Sequence, residues 1–366
     1  MPLVHTIAVI NQKGGVGKTT TVANLGAAIA ARGCSVCLID LDPQAHLTLH
    51  FNIEPGPKTV SVYDILSGRA GFGDACVKVD EHLTVVPAVI DLAAAEVELA
   101  GTVGREQILR DSMAAQPQSF QLGLIDCPPS LGLLTLNALA AADEVFIPLQ
   151  PHFLALQGLG KLLETVSLVQ RRINPGLRVS GVVLCLYETG TRLAAEVVAD
   201  LSGFFEANRG GKCAWADAHI FRSVIRRNVK LAECPSHGMT IFQYDASSNG
   251  AADYNALADE FAEIYPQLVP QEPPKKSRPP TAPKAPAASP APGGYNPASP
   301  MSVVAVAPKL PPAPPPARPG AQDARNCAMP MAIVPPPRAK AAMRTVQPSA
   351  AMAPTIVPPP AEVARS

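Results

Sequence analysis

Asn11-Gln12-Lys13-Gly14-Gly15-Val16-Gly17-Lys18-Thr19-Thr20 stands between an apolar run, Val4 to Ile10, and a stretch of helical spacing, Thr19 to Arg32. Strand, glycine-rich turn and helix together make a setting in which backbone wraps around phosphate. The glycines let N–H groups turn inward, and the following helix adds the positive end of its dipole. Gly14, Gly15, Val16, Gly17, Lys18, Thr19 and Thr20 are therefore the candidate nucleotide loop. Lys18 is placed to reach the β- and γ-phosphates, and the Thr19 hydroxyl to ligate Mg²⁺. ATP and Mg²⁺ are the expected cofactors. The loop departs from the pattern G-x-x-x-x-G-K-[ST], because Gln12 takes the first glycine position and Lys13 follows it. A second lysine is poorly placed to serve its own site. Across a two-fold dimer with facing sites it would reach the partner's phosphates as a charge supplied in trans.

Working outward, apolar runs of strand length recur at Ser35–Asp40, Leu83–Pro87, Leu122–Asp126, Glu144–Pro148 and Val179–Leu186. Helical patterns separate them at Leu131–Ala142, Ala155–Ile173, Arg192–Asn208 and Ala251–Tyr265. This alternation predicts an α/β fold, a mostly parallel twisted sheet with helices on both faces. Ligands in such sheets sit at the carboxyl ends of strands. Asp40, Asp42 and Asp126 end strands beside the loop, which makes them candidates for the metal and for water. Asp126 closes an apolar strand before two prolines, a place from which a carboxylate holds a Mg²⁺-bound water. Asp40 and Asp42 flank Leu41 at period two, so their side chains share one side if the strand continues.

The chain of 366 residues carries 30 basic and 30 acidic side chains, but the balance is a cancellation. Residues 267–366 hold 11 basic and 3 acidic residues, leaving 19 and 27 in residues 1–266. Proline divides the same way, with 27 of 40 in residues 267–366. Proline supplies no N–H to a helix or a sheet ladder. The expectation is thus an acidic ATPase domain over 1–266 and a disordered, basic Pro/Ala-rich tail over 267–366, locally polyproline II. The tail repeats A-M-x-x-x-I-V-P-P-P at Ala328–Pro337 and Ala351–Pro360. Such an echo arises by drift in Ala/Pro-rich sequence, or marks a duplicated docking motif for a protein partner. No run of eighteen apolar residues exists, and Met1 to Gln12 lacks a basic region followed by a long apolar core. No membrane span and no signal peptide are expected. The eight cysteines are scattered, and reduced thiols in a cytoplasmic protein are the expectation.

Lys13-Gly14-Gly15-Val16-Gly17-Lys18-Thr19 resembles the deviant Walker A motif of the ParA/MinD/Soj ATPases. Leu38–Gln44 is similar to that family's second motif, and Leu124–Ser130 to its Walker B. Ile147–Pro151 with Leu154–Leu159 resembles the segment that follows. Ile225–Leu231, Pro235–Gly238, and Tyr244-Asp245 before Gly250-Ala251 resemble a late ParA/Soj segment. The resemblance implies that Asp42 positions the attacking water, that Asp40 sits near the metal, and that Lys13 crosses a face-to-face ATP dimer. It implies a slow ATPase that switches affinity for something else. Chromosome or plasmid partition follows, with non-specific DNA bound in the ATP state, a nucleoid location, and a ParB-like partner stimulating hydrolysis.

Arg222, Arg226, Arg227 and Lys230 cluster within nine residues, and the resemblance makes this region a candidate DNA contact. A solvated loop is the plain alternative, or, for Arg226 and Asn228, a wall of the adenine pocket. Arg226 replaces a proline common in that segment, and Asn249 stands where many relatives carry Arg or Lys. A ParA-like ATPase that positions a protein cargo, such as a chemotaxis or secretion cluster, is the second functional reading. A membrane-cycling MinD-like protein needs an amphipathic C-terminal helix, which prolines 348, 354, 358, 359 and 360 exclude. An iron–sulfur reductase sharing this loop needs two cluster cysteines, and only Cys127 lies near the Walker B turn.

Overall fold

His5–Val9, the first strand, is flanked on both sides and so is apolar on both faces, with Ile7 and Val9 on one and Ala8 on the other. That two-sided burial is what a central strand of a parallel sheet requires. The computed structural model describes residues 5–115, 120–152 and 155–269. Its strands are β1 His5–Val9, β2 Val36–Asp40, β3 Val77–Asp80, β4 Leu83–Val86, β5 Leu122–Asp126, β6 Glu144–Leu149, β7 Arg178–Tyr187 and β8 His219–Arg226. Its helices are α1 Lys18–Ala30, α2 His46–His50, α3 Val62–Leu66, α4 Ala95–Glu98, α5 Ile108–Ala114, α6 Leu133–Ala141, α7 Ala155–Arg172, α8 Arg192–Asn208, α9 Val229–Glu233, α10 Ile241–Tyr244 and α11 Asn249–Ile264. The eight strands form one sheet in the order β3-β4-β2-β5-β1-β6-β7-β8. Every pair is parallel except β3–β4.

Helices cover both faces, as the alternation predicts. Val22, Leu25 and Ile29 of α1 and Tyr254, Leu257 and Phe261 of α11 bury one face with Leu38, Leu124 and Phe146. Leu134 and Ala138 of α6, Leu162 and Val166 of α7 and Leu201 of α8 bury the other with Ile39, Ile125 and Ile147. Gly26 lets α1 approach β2, since a Cβ there would meet Leu38 Cδ2 at 2.5 Å.

The sequence patterns miss β3, β8 and several short helices. Both missed strands are sheet edges, where one side meets water and the apolar run breaks up. The basic cluster at 222–230 is therefore not one loop: Arg222 and Arg226 lie in β8, and Lys230 lies in α9. Leu268 and Val269, which the composition break puts with the tail, are buried in the α1–α11 core. The rest of the expected tail, residues 270–366 with both repeats, lies outside the described residues. Among the described residues no helix is long and apolar enough to cross a membrane, and seven cysteines are free thiols.

Candidate functional site

β1 ends at Val9, and the chain turns through Gly15 and Gly17 at φ +70° and +97° before α1 begins at Lys18. Side chains rarely adopt such φ values, so glycine is required at both. Gly17 is itself the N-cap of α1, and no side chain caps the helix. The first-turn N–H groups are thus left for a ligand at the positive helix end. Lys18 is largely buried, and its Nζ lies 3.4 Å from the Lys13 carbonyl. Burial lowers its pKa, while the charges of Asp126, Cys127 and Asp42 oppose that shift.

The sheet register puts the two strand-ending aspartates side by side. Asp40 of β2 pairs with Asp126 of β5, and Val9 of β1 pairs with Asp126 from the other side. Their surroundings differ. Asp40 Oδ2 accepts from the Thr48 amide at 2.9 Å and the Thr48 hydroxyl at 2.7 Å, and Oδ1 accepts from the Asp42 amide at 3.2 Å. Its carboxyl is raised to about 6 by burial, against those hydrogen bonds. Both oxygens of Asp126 are buried without a hydrogen-bond partner. Burial and the Asp40 charge raise Asp126 well above the usual carboxylate range, and the Thr19 side chain and Lys18 oppose part of that rise.

Two donor-free carboxylate oxygens beside an ammonium and a threonine hydroxyl fit a magnesium ion held directly or through water. Asp40, expected near the metal, stands beside Asp126 with its oxygens accepting three protein hydrogen bonds, and its charge adds to that of Asp126. The β2 strand also stops at Asp40, so the period-two argument for Asp40 and Asp42 does not apply. Asp42 sits in the following turn, half-buried, and its Oδ1 accepts from the Gln44 amide at 3.0 Å. Thr48 was not singled out by the sequence. Its hydroxyl also accepts from the Ala88 amide at 2.9 Å, so it ties β2, α2 and the end of β4 together behind the site.

The basic cluster is neutralised residue by residue. Arg222 pairs with Glu260 and Glu263, Arg226 with Asp253, Arg227 with Glu188 and Lys230 with Glu233. Asn228 caps α9, its side chain accepting from the Lys230 amide at 2.8 Å. The four candidate phosphate contacts are brought close, but each already has a carboxylate.

Residues 4–179 match a family model described as an AAA domain. The chain is 45% identical over 257 residues to the sporulation initiation inhibitor protein Soj of Bacillus subtilis, covering 70% of this chain and 97% of the relative. It is 42% identical over 260 residues to the chromosome partitioning protein ParA of Caulobacter vibrioides, covering 70% and 93%. Among solved structures, cobyrinic acid a,c-diamide synthase from Mycobacterium smegmatis with bound ATP analog and magnesium superposes with a TM-score of 0.60 at 38% identity, covering 72% of this chain and 95% of that one.

Proposed function

The chain belongs to the Soj/ParA family of chromosome-partitioning ATPases, and on that premise we propose that it is an ATP-driven dimerising switch that partitions DNA. The carrying observation is the phosphate loop set against Asp126, a buried carboxylate whose oxygens make no hydrogen bond of normal geometry, with the Thr19 hydroxyl and the Lys18 charge close by. The amides of Gly14 to Gly17 and the Lys18 ammonium hold the phosphates. Thr19 and Asp126 hold magnesium, which neutralises phosphate charge when bound. Asp42, in the half-buried turn, orients the attacking water. Lys13 reaches the phosphates of the facing subunit, so hydrolysis waits for the dimer. The ATP dimer binds DNA without reading bases, in the cytoplasm and on the nucleoid. A ParB-like protein ends the cycle by stimulating hydrolysis.

A second reading, in which the same switch positions a protein cargo, draws support from the ion pairs at Arg222, Arg226, Arg227 and Lys230. These leave little uncompensated positive charge for DNA on that surface. Dimerisation and DNA binding measured with ATP, ADP and no nucleotide, at two salt concentrations, separate the readings. Partition predicts ATP-specific, salt-sensitive DNA binding. An ATP dimer indifferent to DNA supports the cargo reading. Lys18→Ala is expected to lose about a hundredfold or more in nucleotide affinity, and retained affinity would sink the loop assignment.

A further inference from the structure

Lys13, the residue that the proposed function sends across a dimer, is held by its own subunit. Its ammonium donates to Gln150 Oε1 at 3.1 Å and contacts His152 Nε2. Both acceptors follow the end of β6 at Leu149. The backbone is tied to the same place: the Lys13 amide donates to Asn11 Oδ1 at 3.0 Å, and Asn11 Nδ2 donates to the Pro148 carbonyl at 2.7 Å. Lys18 Nζ also approaches the Lys13 carbonyl. The side chain of Lys13 is exposed, so it has room to leave.

The geometry points to an intrasubunit latch: Gln150 and His152 are positioning residues that hold Lys13 in cis, and the ATP dimer forms by withdrawing Lys13 from them. This rests on the reading of Lys13 as a residue acting in trans. An ammonium has three donors and no lone pair, so His152 holds it only as a neutral imidazole with its Nε2 lone pair free. Protonation removes that lone pair and sets two cations against each other. Lys13 of the phosphate loop sets its positive charge against His152, while Gln150, the other acceptor of Lys13, is neutral. Partial burial and the Lys13 charge both disfavour protonated His152, so its titration lies below the usual histidine range. The latch is therefore closed at neutral pH and opens on acidification. Dimerisation should tighten as pH falls through the His152 titration.

The test uses the full chain with magnesium and a slowly hydrolysed ATP analogue, comparing wild type and His152→Leu from pH 5.5 to 8. Sedimentation gives the dimer constant, and a fluorescent nucleotide gives binding to the monomer. At pH 8 the variant is expected to dimerise about threefold more tightly than wild type, the scale of an exposed charged contact, with the gap closing in acid. Nucleotide affinity of the monomer should be equal in both. In parallel, NMR titration of His152 should give a higher pKa in Lys13→Ala than in wild type. Equal dimer constants at every pH, or an unmoved His152 titration in Lys13→Ala, overturns the latch. A wild type that binds nucleotide yet stays monomeric at every pH overturns the trans reading itself, and the His152 titration still reports the contact separately.

Discussion

Asp40 and Asp126 sit at one register level on neighbouring strands, and the fold treats them in opposite ways. Three donors satisfy Asp40, whereas Asp126 is buried with neither oxygen satisfied. A buried carboxylate without donors destabilises the folded state unless a cation arrives. Asp126→Asn is therefore expected to stabilise the nucleotide-free protein at pH 7 by about 1–3 kcal/mol. The sign follows from the direction of the shift. The folded state keeps the Asp126 proton to higher pH than the unfolded chain, so stability falls as pH rises from the unfolded value, about 3.9, toward the folded one. The variant lacks that fall. Magnesium–nucleotide should reverse the order, raising the melting temperature of wild type more than that of the variant, whose turnover is lost. Thermal melts with and without ligand, across pH, check both halves. An equal or lower melting temperature for the ligand-free variant at pH 7 would contradict the account.

β8 shows how one element protects a sheet edge. Its pairing with β7 slips between Ile220, opposite Val182, and Val224, opposite Leu184, so residues 221–223 bulge. The Arg222 and Ser223 amides both go to the Glu260 carboxylate of α11, each at 2.8 Å. Further along, the Arg226 amide goes to Asp253 of the same helix at 2.9 Å. Carboxylates of α11 thus occupy donors that an open edge would offer to another strand. Glu260→Ala leaves two amides without their acceptor and is expected to cost about 2 kcal/mol, read as a lower urea midpoint. Aggregation near the midpoint should rise as the edge is uncovered. Glu260→Gln, which keeps an acceptor, should recover part of the loss. An unchanged midpoint for Glu260→Ala would mean that water replaces the carboxylate without penalty.

At the scale of the whole chain, the zero net charge divides into −8 over residues 1–266 and +8 over residues 267–366. The cations of the β8–α9 cluster are paired with carboxylates, so the acidic part presents little free positive charge there. Deleting residues 270–366, which carry all 11 basic residues of the C-terminal segment, is expected to weaken ATP-dependent DNA binding. The log–log salt slope should flatten by about 0.9 for each phosphate that the shortened chain no longer neutralises. Affinity and slope equal to the full chain's would place DNA contact in residues 1–269. The cut falls after Val269 because Leu268 and Val269 belong to the core. The phosphate loop, the strands β1, β2, β4, β5, β6 and β7 and the helices α1, α6, α7, α8 and α11 were legible in sequence to within a few residues. Their signals are local: apolar runs, helical spacing, and glycines before a lysine and a threonine. The edge strands β3 and β8 were not legible, because an edge buries one side only. The unequal states of Asp40 and Asp126 were not legible either, nor were the carboxylates opposite each cluster cation, nor the cis contacts of Lys13. Arg222 meets Glu260 across 38 positions, and Lys13 meets Gln150 across 137. The sequence by itself determined the chemistry of the loop and the alternation of the fold, since both are written in neighbouring residues. Only the tertiary structure decided which charges are spent and which are left for a ligand, because that depends on partners the chain brings together by folding.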